Sequence, residues 1–587
     1  MSAELPKSDA SSDGPPKAGL SASEALVRTR MAMQRGDLVG ARDIAECARR
    51  AFPNDPALAD AAGDLALKDG DAMRAVEHFA AAVSHALGMR DYAINHAIAL
   101  QRLDRHREAI AALDPHAREG RSDARYASVR AMSHRALADP AAAAKWYDVA
   151  LASEPARARA QHGRARVALE RGEDDAVQRF DAALRANPGD ADLWLGKAQA
   201  LEVAGDVAGA KAIAEQLCEK APGFVAALNF LCGLRLAAGE SDFATPFVVA
   251  TKLAPRDPNI PAAHCKTLAG LDHFAEAARV AAEARRRFPD EPHFAMLEAI
   301  HSCSAGEWDR AERIFAELPA GLPGRAVHEA RHRIRARDTE RAETLLGTAL
   351  EQSPWDVTAW ALRGISWRIS DTPNAQERAR WLQEQSGLTQ LCELDARDGL
   401  LDDVTGELRA LHEKSAMPLG QSLRGGTQTR AVLFDRTEPL LAELHEAIGS
   451  TLERYRDGLP KDDPSHPLLR HRNTPWRLAG SWSVRLQGKG DYHTAHIHPL
   501  GILSSALYLV VPPESEDAEE RSGWLEIGRP PPDLMLDLPP LETIRPLRGH
   551  LALFPSTAYH GTTPFHSAER MTVAFDVVAS ESAGESA

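Results

Sequence analysis

Cysteine is scarce in this chain and is never paired in sequence. The six are Cys47, Cys218, Cys232, Cys265, Cys303 and Cys392, and none forms a CxxC motif. That pattern argues against a disulfide framework or a zinc knuckle and fits thiols kept in a reducing compartment. A positive excess is also missing: the net charge is −15. A chain built to coat nucleic acid or an anionic membrane would need a basic surface, so neither is an expected partner. No apolar run reaches the roughly 18 residues of a membrane span. The start, MSAELPKSDASSDGPPKAG, lacks the basic residues and apolar stretch of a secretory signal. It reads as a disordered tail over 1–20, with a second short tail at 581–587, and the expected location is the cytoplasm.

What the sequence has in abundance is periodic alanine. Ala41, Ala75, Ala109, Ala143, Ala176, Ala210, Ala244, Ala277, Ala311 and Ala342 follow one another at intervals of 31 to 34 residues. Gly36, Gly70, Gly172, Gly205, Gly239 and Gly306 stand just before six of them, usually followed by Asp or Glu. A third series, Pro53, Pro155, Pro188, Pro222, Pro255, Pro289, Pro323 and Pro354, keeps the same phase. Glycine tolerates the left-handed backbone at a helix end. Alanine allows two helices to approach closely, and proline closes one repeat and helps start the next.

This register resembles the tetratricopeptide repeat over residues 21–356, about ten units. Aromatic consensus positions are often Ala or Leu here. The resemblance implies an α-solenoid, a TPR-like superhelix whose groove binds a peptide or protein partner; a rigid spacer or a dimer interface are its other uses. Residues 357–415 lose the register but keep apolar residues at helical spacing, and are expected to form a helical cap and linker.

After residue 416 the texture changes. Glycine, proline and β-branched residues rise, and the runs WSVRL, SSALYLVV, HLALF and MTVAFDVV have strand length and composition. One amphipathic helix is expected near 437–457. Several short strands with one packing helix predict a β-sandwich or small barrel over 416–580.

The densest polar cluster is DYHTAHIHP, with His493, His496 and His498. On a strand, residues two apart point to one side, so His496 and His498 can hold one metal ion while Ile497 points inward. His493 reads as a rim residue. A third ligand must come from elsewhere, and His560 in FPSTAYHGT is the candidate. Imidazole suits divalent iron, zinc and copper.

The arrangement resembles the iron and 2-oxoglutarate dependent oxygenases, whose signature is H-x-D/E, a long gap, then His. It is closer still to a bacterial group of such oxygenases often fused to tetratricopeptide repeats. The shared blocks are QSLRGGTQT, GSWSVRL, HIHP, GWLEIG and LFPSTAYHGTTPF. The resemblance implies a double-stranded β-helix (jelly-roll, cupin-like) domain holding Fe(II) on His496, His498 and His560. It further implies 2-oxoglutarate as cosubstrate, bound by Arg570 with Thr572 and Tyr508, and O2 as co-reactant. Arginine suits the task because its planar fork makes two charge-assisted bonds to a carboxylate.

His498 departs from the family, which has a carboxylate there. Asp491 or Glu526 are the alternative sources of one. Arg570 has a surface alternative too, pairing with Asp576 or Glu569. The RGGTQT segment, Arg424–Thr429, lacks a P-loop ending and reads as a loop near the substrate opening; Trp482 and Arg485 are candidates to face the pocket. Three functions follow. The leading one is a 2-oxoglutarate-dependent hydroxylase acting on a peptide or protein held by the repeats. The others are an interaction scaffold with an inactive oxygenase-like domain, and a three-histidine dioxygenase that does not use 2-oxoglutarate.

Overall fold

The computed structural model describes residues 20–415, 422–566 and 568–579. The two terminal tails apart from Leu20, the expected start and last residue of the β domain (416–420 and 580) and Gln421 of the QSLRGGTQT block lie outside these residues. The chain divides into two compact units. One comprises residues up to 171 with 175–193, and the other comprises 172–174 with 194 onward.

The first unit is a series of antiparallel helix pairs, beginning with Ala22–Gln34 and Leu38–Ala51 and continuing to Ala176–Ala186. The second unit opens with the same kind of pairs, ending in Thr339–Gln352 and Val357–Ile369. The periodic alanines are buried at helix contacts, nine of the ten at 7% exposure or less. Ala244 is the exception. It caps the short helix Thr245–Leu253, and Pro246 and Phe247 take the buried place instead.

The glycine turns have left-handed backbones, and the series is more regular than the glycines alone suggest. Where a unit lacks the glycine, Asp104, Ala138, Asp272 and Arg337 hold φ between 56° and 63° at the equivalent turn. A non-glycine residue there costs about 1 kcal/mol. The acidic residue after the turn starts the next helix: Asp37, Asp71, Asp139, Asp206 and Asp338 each accept a hydrogen bond from the backbone N–H three residues on. This satisfies one of the free donors at a helix start.

The C-terminal part of the second unit is an antiparallel β architecture of the double-stranded β-helix class. Its strands are β1 (Gln390–Glu393), β2 (Leu423–Arg424), β3 (Thr427–Gln428), β4 (Trp476–Leu486), β5 (Tyr492–His493), β6 (Leu503–Val510), β7 (Leu525–Ile527), β8 (Glu542–Ile544), β9 (His550–Pro555), β10 (His560–Thr562) and β11 (Arg570–Ala579). They form a six-stranded sheet ordered β1-β9-β6-β11-β4-β3, a three-stranded sheet β10-β7-β8 and the pair β2-β5.

One face of the large sheet carries the core. Met571, Val573, Phe575 and Val577 of β11, with Leu503, Leu507, Leu551 and Leu553, pack on helices Leu400–Glu413 and Pro439–Asp457. Each such side chain contributes roughly 1.5–3 kcal/mol when fully buried.

The linker differs from the helical expectation. Gln390–Glu393 is a strand that pairs with β9, Gln390 opposite Leu553 and Glu393 opposite His550. The preceding helix stops at Gln383, and Gly387 takes a left-handed φ of 97°. Beyond that break the open edge of β9 offers a full ladder of hydrogen bonds, which outweighs the apolar helical spacing. Leu400, Val404 and Leu408 of the linker's last helix then enter the β domain's core.

Candidate metal centre

The three histidines converge. The ligating atoms of His496, His498 and His560 lie within 4.8 Å of one another, and the Nε2 atoms of His496 and His498 are 3.1 Å apart. Three imidazoles on one face of an ion with bonds of about 2.1 Å would stand roughly 3 Å apart. The local backbone is not the expected strand. His496 makes a single antiparallel bridge to His560, each donating its N–H to the other's carbonyl at 2.9 Å, and His498 lies in the following turn. Ile497 both lines the cavity and touches an apolar cluster behind it.

Each ring is oriented from its far side. His496 Nδ1 donates to the Thr494 carbonyl at 2.8 Å and His560 Nδ1 to the Ala558 carbonyl at 3.2 Å. His498 Nδ1 donates to the Asp576 carboxylate. With the proton on Nδ1 in all three, every Nε2 presents a lone pair to the common point. Lone pairs facing each other at 3.1 Å repel unless a cation lies among them. Burial favours the neutral rings of His496 and His560. It brings the His496 pKa down to about 3, reinforced by His498, and holds that of His560 well below the ordinary value.

The histidines line a cavity of about 400 Å³ that also contains Arg570, Thr572, Ala574 and Asp576, alternate residues of β11. Arg570 is 3% exposed, and its guanidinium lies 5.6 Å from the Tyr508 ring centroid. Among the described residues neither Arg570 Nε nor the Tyr508 hydroxyl has a hydrogen-bond partner. Burial lowers the arginine's pKa, partly countered by Tyr508, and raises that of the tyrosine. A cation this deep without an anion is costly unless a ligand supplies one. Trp482, Val484, Leu525 and Phe554 form apolar walls, and Leu500, 87% exposed, marks the open side.

Residues 480–576 match the sequence family described as "Putative 2OG-Fe(II) oxygenase". Residues 173–231 and 265–326 match two tetratricopeptide repeat families. The chain carries tetratricopeptide repeats and a C-terminal domain that matches the "Putative 2OG-Fe(II) oxygenase" family. Solved structures similar to its helical part include a tetratricopeptide repeat protein from Parabacteroides merdae, at 20% identity and TM-score 0.34, covering 41% of this chain and 97% of that one. PilF of Pseudomonas aeruginosa aligns at 17% identity and TM-score 0.33, covering 36% of this chain and 96% of its own. YrrB, described as a TPR protein with an unusual peptide-binding site, aligns at 15% identity and TM-score 0.28, covering 31% and 95%. No curated protein matches the sequence.

Within the β domain the structure corrects some sequence expectations and places the other candidates. Neither Asp491 nor Glu526 joins the histidines. Asp491 accepts the Gln487 N–H at 2.9 Å and packs where a Cβ on Gly425 would fall, and Glu526 pairs with Arg529. Tyr508 sits under Arg570 rather than among the cavity-lining residues. Trp482 faces the cavity, but Arg485, three residues on, is on the opposite side and pairs with Glu569 at 2.6 Å. Glu569 also binds Arg409, so neither surface partner considered for Arg570 engages it. His493 lines the cavity, and its Nδ1 lies 3.3 Å from Ser422 Oγ. The RGGTQT segment reaches the cavity through Gln428, while its Arg424 binds Asp272 of the repeats at 2.5 Å.

Two residues have roles that the sequence reading did not assign. Ser422 Oγ lies 3.3 Å from His496 Nε2; it stands in the QSLRGGTQT block, but that block gave it no task of its own. Asp576, considered only as a surface partner of Arg570, instead holds His498, and it continues the every-second-residue series that begins at Arg570.

Proposed function

We propose that this protein is a 2-oxoglutarate- and Fe(II)-dependent oxygenase that hydroxylates a peptide or protein recruited by its repeats. The observation that carries this reading is one cavity in which three converging imidazole lone pairs face a buried guanidinium that pairs with no carboxylate among the described residues. His496, His498 and His560 are the proposed ligands, and Arg570 the proposed anchor for the far carboxylate of the keto acid. When bound, Fe(II) and 2-oxoglutarate would together supply the electrons that activate O2.

The chain's own residues bind, orient and exclude. Asp576 fixes the His498 tautomer and places a negative charge next to an otherwise neutral donor set, offsetting the missing carboxylate ligand. Thr572 offers a hydroxyl on the same face as Arg570, and the Tyr508 ring supports the guanidinium from beneath. Trp482, Val484 and Phe554 keep water from the walls. The six cysteines are all free, which supports the proposed cytoplasmic setting.

The test is anaerobic titration with Fe(II) and 2-oxoglutarate, followed by succinate release in air. A weak visible charge-transfer band and succinate formation are expected. Arg570→Ala should raise the 2-oxoglutarate requirement about 100-fold, since it removes a buried charged pair of about 3 kcal/mol. No band in the parent protein would sink the proposal. A parent that consumes O2 with no dependence on the keto acid or on Arg570 would favour the three-histidine dioxygenase instead.

A further inference from the structure

The family match begins at residue 480, yet residues next to the metal centre pack on the repeats. Helix Arg325–Arg335 presents Arg331, whose Nε and Nη2 donate to the two Asp533 carboxylate oxygens at 2.8 and 2.6 Å. Arg331 Nη1 donates to the Tyr559 hydroxyl at 3.0 Å. Arg335 adds a bond of 2.6 Å to the Asp533 carbonyl. Tyr559 is 3% exposed, and its carbonyl accepts the Gly528 N–H at 2.6 Å.

Tyr559 immediately precedes His560. Its ring belongs to one apolar cluster with Ala330, Ile334, Trp360 and Leu534, and Ile497, between His496 and His498, packs on the same cluster. The cluster built on the last repeats thus takes in both the residue between His496 and His498 and the residue that precedes His560.

We propose that Arg331 is a positioning residue for the metal centre: it locks Tyr559 and Asp533 so that His560 meets His496 and His498, and the oxygenase site is complete only with helix Arg325–Arg335 in place. The proposal rests on those histidines being the ligands. A bidentate arginine–carboxylate pair fixes orientation as well as distance, and groups that orient metal ligands typically change affinity 10–100-fold when removed.

The test uses Co(II) as a spectroscopic probe on the full chain. Arg331→Met should weaken Co(II) binding at least tenfold and alter its visible d–d spectrum. Tyr559→Phe, which keeps the ring and removes only the hydroxyl, should move both in the same direction by a smaller factor. The control is Arg363→Met. Arg363 lies over Trp360 and Trp367 in the same cluster, and among the described residues its side chain's hydrogen bonds and ion pair go to Glu343. It should lower the melting temperature while leaving Co(II) affinity and spectrum unchanged. Wild-type affinity and spectrum in Arg331→Met would overturn the proposal, as would an equal loss in Arg363→Met. A parent chain that takes up no Co(II), or whose uptake survives His560→Ala, would overturn the ligand assignment itself.

Discussion

In the repeat array the same device recurs: a buried alanine, a left-handed turn and an acidic cap. In the cavity of the oxygenase domain every residue is used once, and its neighbours come from chain positions as far apart as Ser422 and Asp576. The first arrangement spreads stability over many small, equivalent contacts between neighbours, so losing one is tolerated. The second concentrates function in groups that no other residue can replace. A substitution of modest energetic size should therefore be nearly silent in one region and decisive in the other.

The largest effect that would sharpen this contrast is expected from Asp576→Asn. It keeps the shape but removes the charge behind His498, and metal affinity measured by Fe(II) or Co(II) titration should fall about 10–100-fold. Unchanged affinity would erase the distinction for that residue.

A smaller effect is expected from pH. His466 is fully buried; its Nδ1 accepts the Leu468 and Leu469 N–H groups at 3.1 Å, and its Nε2 donates to the Leu382 carbonyl. Burial, opposed by the Leu382 bond, brings its pKa down to about 4. Because the folded value lies below the unfolded one, the unfolded chain takes up the proton first. Stability is thus lost as pH falls from about 6.5 toward 4. Urea unfolding at pH 5 and pH 7 should show roughly 2 kcal/mol from this group, and His466→Gln should flatten that slope.

The smallest effect belongs to the array. Ala138 holds φ at 56°, so Ala138→Gly should stabilise by less than about 1 kcal/mol, seen as a slight rise in melting temperature. A loss there would mean that the turns are not interchangeable.

The same contrast explains what could be read in advance. Repetition made the array legible, because ten alanines in phase outweigh any one irregular unit. It still hid the turns at Asp104, Ala138, Asp272 and Arg337, where the backbone repeats without its glycine. Strands β4, β6, β9 and β11 of the large sheet and helix Pro439–Asp457 followed from strand-like composition and amphipathic spacing. The strand at Gln390–Glu393 did not, since four residues carry too little pattern and the deciding partner, β9, lies 160 residues downstream. Likewise His498 could be picked out by its motif, but its carboxylate partner could not be chosen without the fold. Asp491 and Glu526 were nearer in sequence than Asp576, and only strand pairing brings the last one across.

One strand, β11, carries Arg570, Thr572, Ala574 and Asp576 toward the cavity and Met571, Val573, Phe575 and Val577 toward the helices. The proposed anchor for the keto acid and the support of His498 thus hang on a single ruler with a two-residue spacing. Point changes along it act locally. Adding or deleting one residue between 571 and 575 would turn one end inside out relative to the other, sending either the guanidinium or the carboxylate into the oily layer.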